Sequence, residues 1–361
     1  MSVENNVSRS TSIKIPCTNE KDVTKHVDYR LLKNRREGFL QWWVASTAAL
    51  DVDPSMWMMA YLNERFEHSV EERLWFAWLF HTYCLPTSWA FKQEFPDEEL
   101  ASVERFETFV ADNYPRIRHE RDCKWSRGHL AAMYSSYYTF IGNSSQQDKF
   151  TRLCQGSPEQ NFWELWNTVI NNFFKFGRYT TFFYLQTLKV TCNLPIECPT
   201  LFLEDFKGSQ SHRNGLILAA GKDNWINQKL SRDEYMWLEG FGRDLITEAK
   251  SRWPRFSEEF NAFTLETVLC SYKKVFRTAN GRYINYYNDR VSNQIRKAEE
   301  DGWCGIDWNV LHQCRSECSK GRLQKSDSIS KEKMKRFVEY GDFHFAWIQD
   351  YNVLLPVSLP A

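Results

Sequence analysis

NFWELWNTVINNFFKFGRYTTFFYLQTLKV, residues 161–190, is the longest hydrophobic stretch of the chain. Phe162, Leu165, Val169, Phe173, Phe176, Thr180 and Phe183 follow one another at steps of three or four. That is the period of an α-helix, not the two-residue alternation of a strand. Gly177 interrupts the pattern and predicts two helices or one kinked helix. Arg178, with apolar residues around it, is expected to be half-buried. It then needs either a structural acid or a bound anion.

The helical period continues outward. The spacing predicts helices over 27–47, 54–68, 70–83, 97–114, 130–141, 233–252, 263–278 and 282–300. Asp53-Pro54 opens the second, since proline is tolerated in a first turn. Ser69 and Glu72 form a capping box for the third, which is almost wholly apolar beyond Arg73 and therefore expected at the centre. Strand signals are sparse. The fold class is mostly α: one large helical domain with at most a small β-hairpin near residues 216–221. Residues 1–20, rich in Ser, Asn and Thr, are expected to be disordered. Residues 21–300 form the helical domain, with a soft boundary in the polar linker 143–160. Residues 301–361 form a C-terminal extension that packs on it, with a polar, mobile segment over 316–335.

At 361 residues the chain is long enough for a sizeable core. Lys plus Arg and Asp plus Glu both number 46. This balance argues against a general polyanion-coating protein but leaves room for a local basic groove. Residues 115–129, PRIRHERDCKWSRGH, are the most basic stretch. Arg116, Arg118, Arg121, Lys124 and Arg127 are candidate contacts to a DNA backbone; a solvated loop is the plainer reading. The ten cysteines have irregular spacing, and Cys84, Cys154 and Cys270 sit in helical patterns. With no leading signal peptide and no membrane-length apolar run, reduced thiols in a cytoplasmic protein are expected. Cys304, His312, Cys314 and Cys318 match no strong zinc spacing, so no metal is expected. Walker, G-x-G-x-x-G, G-x-S-x-G, H-E-x-x-H and paired C-x-x-C motifs are absent, and no cofactor is expected.

Polar chemistry concentrates in residues 204–221, EDFKGSQSHRNGLILAAG. Glu204 and Asp205 are candidate bases, His212 titrates near neutral pH, and Arg213 can grip phosphate or carboxylate. A connecting loop is the alternative. On the helix over 263–278, Glu266, Cys270, Lys273 and Arg277 share one face, as either a salt-bridged surface or a cleft wall. Around residues 282–290, Tyr283, Tyr286 and Tyr287 lie beside Asn288, Asp289 and Arg290. That grouping suits a site that stacks a flat ring and hydrogen-bonds its edge, or else ordinary tyrosine packing.

ERLWFAWL (72–79), NFFKFGRYTTFFYL (172–185), LFLEDFKGSQSHRNG (201–215), FTLETVLCSYKK (263–274) and RYINYYNDR (282–290) occur in that order. Together they resemble the alpha-glutamyl/putrescinyl thymine pyrophosphorylases, the amino acid:DNA transferases of bacteriophages with hypermodified thymine. The resemblance spans about residues 27–300, and S-H-R-N-G and Y-N-D-R are its most specific parts. It implies an enzyme acting on double-stranded DNA that carries phosphorylated 5-hydroxymethyluracil. The (pyro)phosphate on the methylene carbon is replaced by an amino acid or polyamine, after a kinase has phosphorylated the base. It also implies an all-helical fold likened to helical DNA glycosylases, with base flipping expected, and for a phage protein the host cytoplasm as its location.

Set against that chemistry, the residues divide into roles. Arg213, Lys273, Arg178 and Arg290 are candidates to hold the leaving phosphate, with Ser209, Ser211 and Asn214 in the same cradle. Asp205 or Glu204 is the candidate base, with His212 and Asp289 as competitors and Glu266 close in type. Tyr286 or Tyr287 is expected to stack on the uracil, and Asn288 or Asn214 to read its edge. Cys270 is a candidate for transient addition to the ring, set against the usual inertness of buried thiols. A helical glycosylase-like enzyme using Asp289, and a non-catalytic DNA-binding subunit of a phage modification complex, are the competing readings.

Overall fold

The computed structural model describes residues 28–95, 102–119, 128–204, 210–275 and 282–320. Fourteen α-helices and no strand occur among them. The first five are α1 (Arg35–Ala48), α2 (Pro54–Arg65), α3 (Val70–Thr82), α4 (Leu85–Glu94) and α5 (Val103–Asn113). The next four are α6 (Leu130–Ile141), α7 (Gln146–Leu153), α8 (Pro158–Asn172) and α9 (Arg178–Cys192). The last five are α10 (Ser211–Ala219), α11 (Arg232–Arg252), α12 (Ala262–Tyr272), α13 (Tyr286–Glu300) and α14 (Asn309–Cys318). None is long and apolar enough to cross a membrane.

Caps and breakers set these limits. The 161–190 stretch divides into α8 and α9 because Gly177 becomes the N-cap of α9 in an extended conformation. The Ser69–Glu72 capping box is present: Glu72 N–H donates to Ser69 Oγ at 3.3 Å, and Glu72 Oε2 accepts from Ser69 N–H at 2.8 Å. Equivalent boxes start α8 (Ser157, Gln160) and α11 (Ser231, Glu234). The polar linker expected over 143–160 is largely helical: it holds α7 and the start of α8. Its polarity is real, but Ser145 caps α7, and Glu71 of α3 accepts from the backbone N–H groups of Gln146 and Gln147. The first helix starts at Arg35 rather than 27, after a short 3₁₀ turn at Leu32–Asn34. The hairpin expected near 216–221 is replaced by α10, whose apolar run is buried on all sides.

α1 and α3 are buried almost throughout, as helices apolar on every face must be. Aromatic rings fill the core beside α3. Trp75 and Trp78 stack at 5.3 Å, Trp78 and Tyr137 at 5.3 Å, and Phe106 and Tyr134 at 4.0 Å. Much of the aromatic content is therefore spent on packing rather than on platforms for bases. α12 lies between two cores. Phe263 packs with the α8–α9 side, while Leu265, Val268 and Leu269 pack with α1 and α10. Trp42 of α1 reaches across to donate to Ser271 Oγ at 3.1 Å.

Candidate active site

α10 and α12 cross so closely that residue 215 has room only for hydrogen. A Cβ there would stand 2.1 Å from the Leu269 carbonyl oxygen. This approach brings the first turn of α10 against the middle of α12. His212 Nδ1 lies 3.3 Å from Glu266 Oε1, and both side chains are buried. One turn on, the Cys270 thiol donates to Ser211 Oγ at 3.0 Å, and Lys274 Nζ stands 3.6 Å from the same sulfur. Cys270 is half-buried, unlike the fully buried thiols of Cys84 and Cys314. Burial pushes the Glu266 carboxyl up to about 7; the positive charge of Arg178 opposes that rise, the Asp53 carboxylate adds to it, and Lys274 opposes it. Arg178, at the first turn of α9, is near enough for its charge to act on Glu266.

A second acid backs the first. Asp53 sits in the left-handed region (φ 50°) in the turn between α1 and α2. Its Oδ2 accepts from Gln186 Nε2 at 2.7 Å and from Thr267 Oγ1 at 3.0 Å. Burial raises its carboxyl to about 6, and these two hydrogen bonds only partly offset that. Two neighbouring carboxyls poised near neutrality are what proton transfer at pH 7 requires. Among the described residues, no group of three or more His, Cys, Asp or Glu side chains could hold a metal ion.

The other expected residues fall in other places. Arg213, proposed for phosphate, is 1% exposed; it donates to Tyr235 Oη of α11 at 3.0 Å and to Gln210 Oε1. Its guanidinium anchors α10 on α11. Both ends of the Asn214 amide are used on Asn227, so this side chain fixes the loop after α10. Asn288 is buried and donates to the Ala49 carbonyl and to Asn285 Oδ1, while its N–H meets Asp51 Oδ1. It ties α13 to the α1–α2 turn through its N–H and Nδ2. Asp289 accepts from Tyr283 Oη at 2.8 Å, and Arg282 lies 3.6 Å over the Tyr286 ring and 5.7 Å from that of Tyr287. Burial lowers the pKa of Arg290. This group rests with α13 chiefly on α2 and α4, not on α12. It meets the Glu266 cluster through the turn that carries both Asp51 and Asp53, and through the Arg282 N–H, which donates to the Lys274 carbonyl at 3.2 Å.

Lys273 caps the end of α12, and the lysine that reaches Cys270 is Lys274. Glu204 is exposed, and Asp205 and Ser209 lie outside the described residues. Arg118, expected on a DNA backbone, is bound through both ends of its guanidinium to Asp301. Arg116 donates to Asn113 Oδ1 and lies over the Trp303 ring. Arg121, Lys124 and Arg127 lie outside the described residues. In the tail cluster, His312 pairs with Glu299 while Cys314 and Cys318 lie 3.9 Å apart. Sequence reasoning missed Asp53, Gln186, Thr267 and Lys274. Only Lys274 carried a signal, standing four and eight residues beyond Cys270 and Glu266.

No solved structure matches the chain. A curated relative, the serinyltransferase of Salmonella phage ViI, is 24% identical over 343 residues, covering 87% of this chain and 83% of its own. The family model for amino acid:DNA transferases matches residues 44–280. That span contains Asp53, Arg178, Ser211, His212, Glu266, Cys270 and Lys274, and the chain belongs to the amino acid:DNA transferase family.

Proposed function

We propose that this transferase replaces the (pyro)phosphate on the 5-methylene carbon of a phosphorylated 5-hydroxymethyluracil in double-stranded DNA with the amino group of an amino acid. The observation that carries the reading is the buried Glu266 beside His212, held in the field of Arg178 and Lys274 and one turn from Cys270, which Lys274 also reaches. An amine attacks only after losing a proton, and Glu266, raised to about 7, is matched to that task with His212 as its partner. A departing phosphate needs fixed positive charge, which Arg178 and Lys274 supply in place of Arg213. Flipping the base out of the duplex brings its C5–C6 edge to the cluster.

Cys270 fits an addition–elimination route on this site. Its thiolate adds to C6 of the ring, and the electron pair displaced towards the C4 carbonyl expels phosphate from the methylene carbon. An exocyclic C=CH₂ is left. The amine adds to that carbon, its proton passes to Glu266, and collapse of the enolate expels the thiolate and restores the ring. The experiment is incubation with phosphorylated and pyrophosphorylated 5-hydroxymethyluracil DNA and a panel of amino acids, followed by digestion and mass spectrometry of the nucleosides. A nucleoside with a new C–N bond at the methylene carbon is expected, and Cys270→Ala should slow its formation about a hundredfold or more. No new nucleoside with any amino acid, from folded protein, overturns the reaction. Full activity in Cys270→Ala overturns the thiol route and leaves direct displacement.

A further inference from the structure

Behind the Glu266 cluster lies a cavity of about 360 Å³, walled by the start of α2, the second half of α9 and the start of α12. Asp53, Gln186 and Thr264 contribute to its lining, with Trp57 and Phe263 as apolar walls. Asp53 holds Gln186 and Thr267 through Oδ2 alone; among the described residues its Oδ1 accepts no hydrogen bond. Glu258 and Glu259 are also among the lining residues. Its one cation, Lys189, is already engaged by Glu197 Oε1 at 2.6 Å and the Ile196 carbonyl at 2.9 Å. The lining is therefore acidic and partly aromatic, with one oxygen of the Asp53 carboxylate unused. That chemistry suits a primary ammonium on a short aliphatic body. The same Asp53 lies in the field of Glu266. α12 thus presents Thr267 to the cavity acid and, one residue earlier, Glu266 to the reaction cluster.

We infer that this cavity is the binding site for the amine co-substrate, with its ammonium on Asp53. The inference rests on the transfer reading above. A 360 Å³ cavity has room for a single amino acid. The Asp53→Asn variant suits the test, because asparagine tolerates the left-handed backbone and its carbonyl still accepts from Gln186 and Thr267.

The test is calorimetric titration of the full chain, without DNA, with L-serine and L-glutamate, each against its N-acetyl form, and with putrescine. At least one free amine should bind saturably, and for an amino acid that binds, acetylation should weaken affinity at least tenfold. Asp53→Asn should weaken the same ligand at least tenfold with no loss of melting temperature. An N-acetyl form that binds as well as its parent overturns the inference on the unmodified protein alone. So does the absence of binding by all three amines, or full affinity in Asp53→Asn. The two readings fail separately. Asp53-dependent amine binding with no new nucleoside sinks the transfer chemistry and leaves the pocket. Product formation with an unchanged amine KM in Asp53→Asn does the reverse.

Discussion

Arg213 and Arg178 carry the same charge and call for opposite experiments. Arg213 is buried on Tyr235 and Gln210, so removing it leaves a tyrosine hydroxyl and an amide oxygen without their donor and opens a void. Arg213→Ala should therefore cost about 2–4 kcal/mol of stability. Arg178→Ala, at a half-buried helix start whose charge acts on Glu266, should leave melting nearly unchanged and lower turnover about a hundredfold or more. Thermal melting and single-turnover rates on both variants check this pair. If Arg213→Ala keeps its melting temperature and loses turnover, the two roles are exchanged. The residue types of the site were legible in the sequence because chemistry is written in side chains. Their destinations were not. A helix turns each successive residue by about 100°, so choosing between Lys273 and Lys274 needs the register at the end of α12, which residue type alone does not give. Asp53 read only as a helix opener, since nothing local says that its carboxyl meets Gln186 and Thr267 more than a hundred residues away.

Elements with strong periodicity or explicit caps were the readable part of the fold. α3 with its capping box and the α8–α9 break at Gly177 follow from local rules that tertiary packing did not override. The failures have a physical cause as well. α7 is short and polar, and its anchor is a carboxylate of another helix, Glu71. The apolar run of α10 has no polar face because α1, α11 and α12 cover it, and a short all-apolar run reads equally as strand or helix. What decides α10 is Gly215. Adding a methyl there places carbon 2.1 Å from the Leu269 oxygen and 3.0 Å from the Leu269 Cα, both backbone atoms that a side-chain rotation cannot move. Gly215→Ala should cost about 3 kcal/mol or more, at or beyond the upper end for an overpacked core. Gly240→Ala in α11, where a Cβ meets nothing within 4 Å, should instead stabilise by about 0.5–1 kcal/mol through helix propensity. Urea midpoints of the two variants test the crossing. Equal midpoints mean that α10 and α12 do not approach this closely.

Across the whole molecule, several displaced titrations act on stability together. His68 and His81 are held neutral by burial, down to about 4 and about 3, so unfolding takes up protons as pH falls below their ordinary range. Glu266, Asp53 and Asp51 pull the other way, because burial raises their carboxyls above the values they regain on unfolding. The raw pH profile mixes these opposing contributions, and a difference between two proteins isolates one of them. For Glu266 the folded value lies above the unfolded one. Its contribution is therefore fully present below about 4.5 and is lost as pH rises through about 7. Carried through, that displacement is worth about 3 kcal/mol, and its coupling to Asp53 blurs the limits of the window. Glu266→Gln keeps the shape of the protonated acid and cannot ionise. The variant should match the wild type near pH 4.5 and become progressively more stable than it by pH 8, while losing about a hundredfold or more in turnover. Denaturant titrations of both proteins at half-unit steps of pH measure the difference directly. Parallel curves would mean that Glu266 carries no displaced titration, and the general base would then have to be sought elsewhere. Diverging curves together with lost turnover would identify a charge kept at the expense of the fold because the reaction uses it.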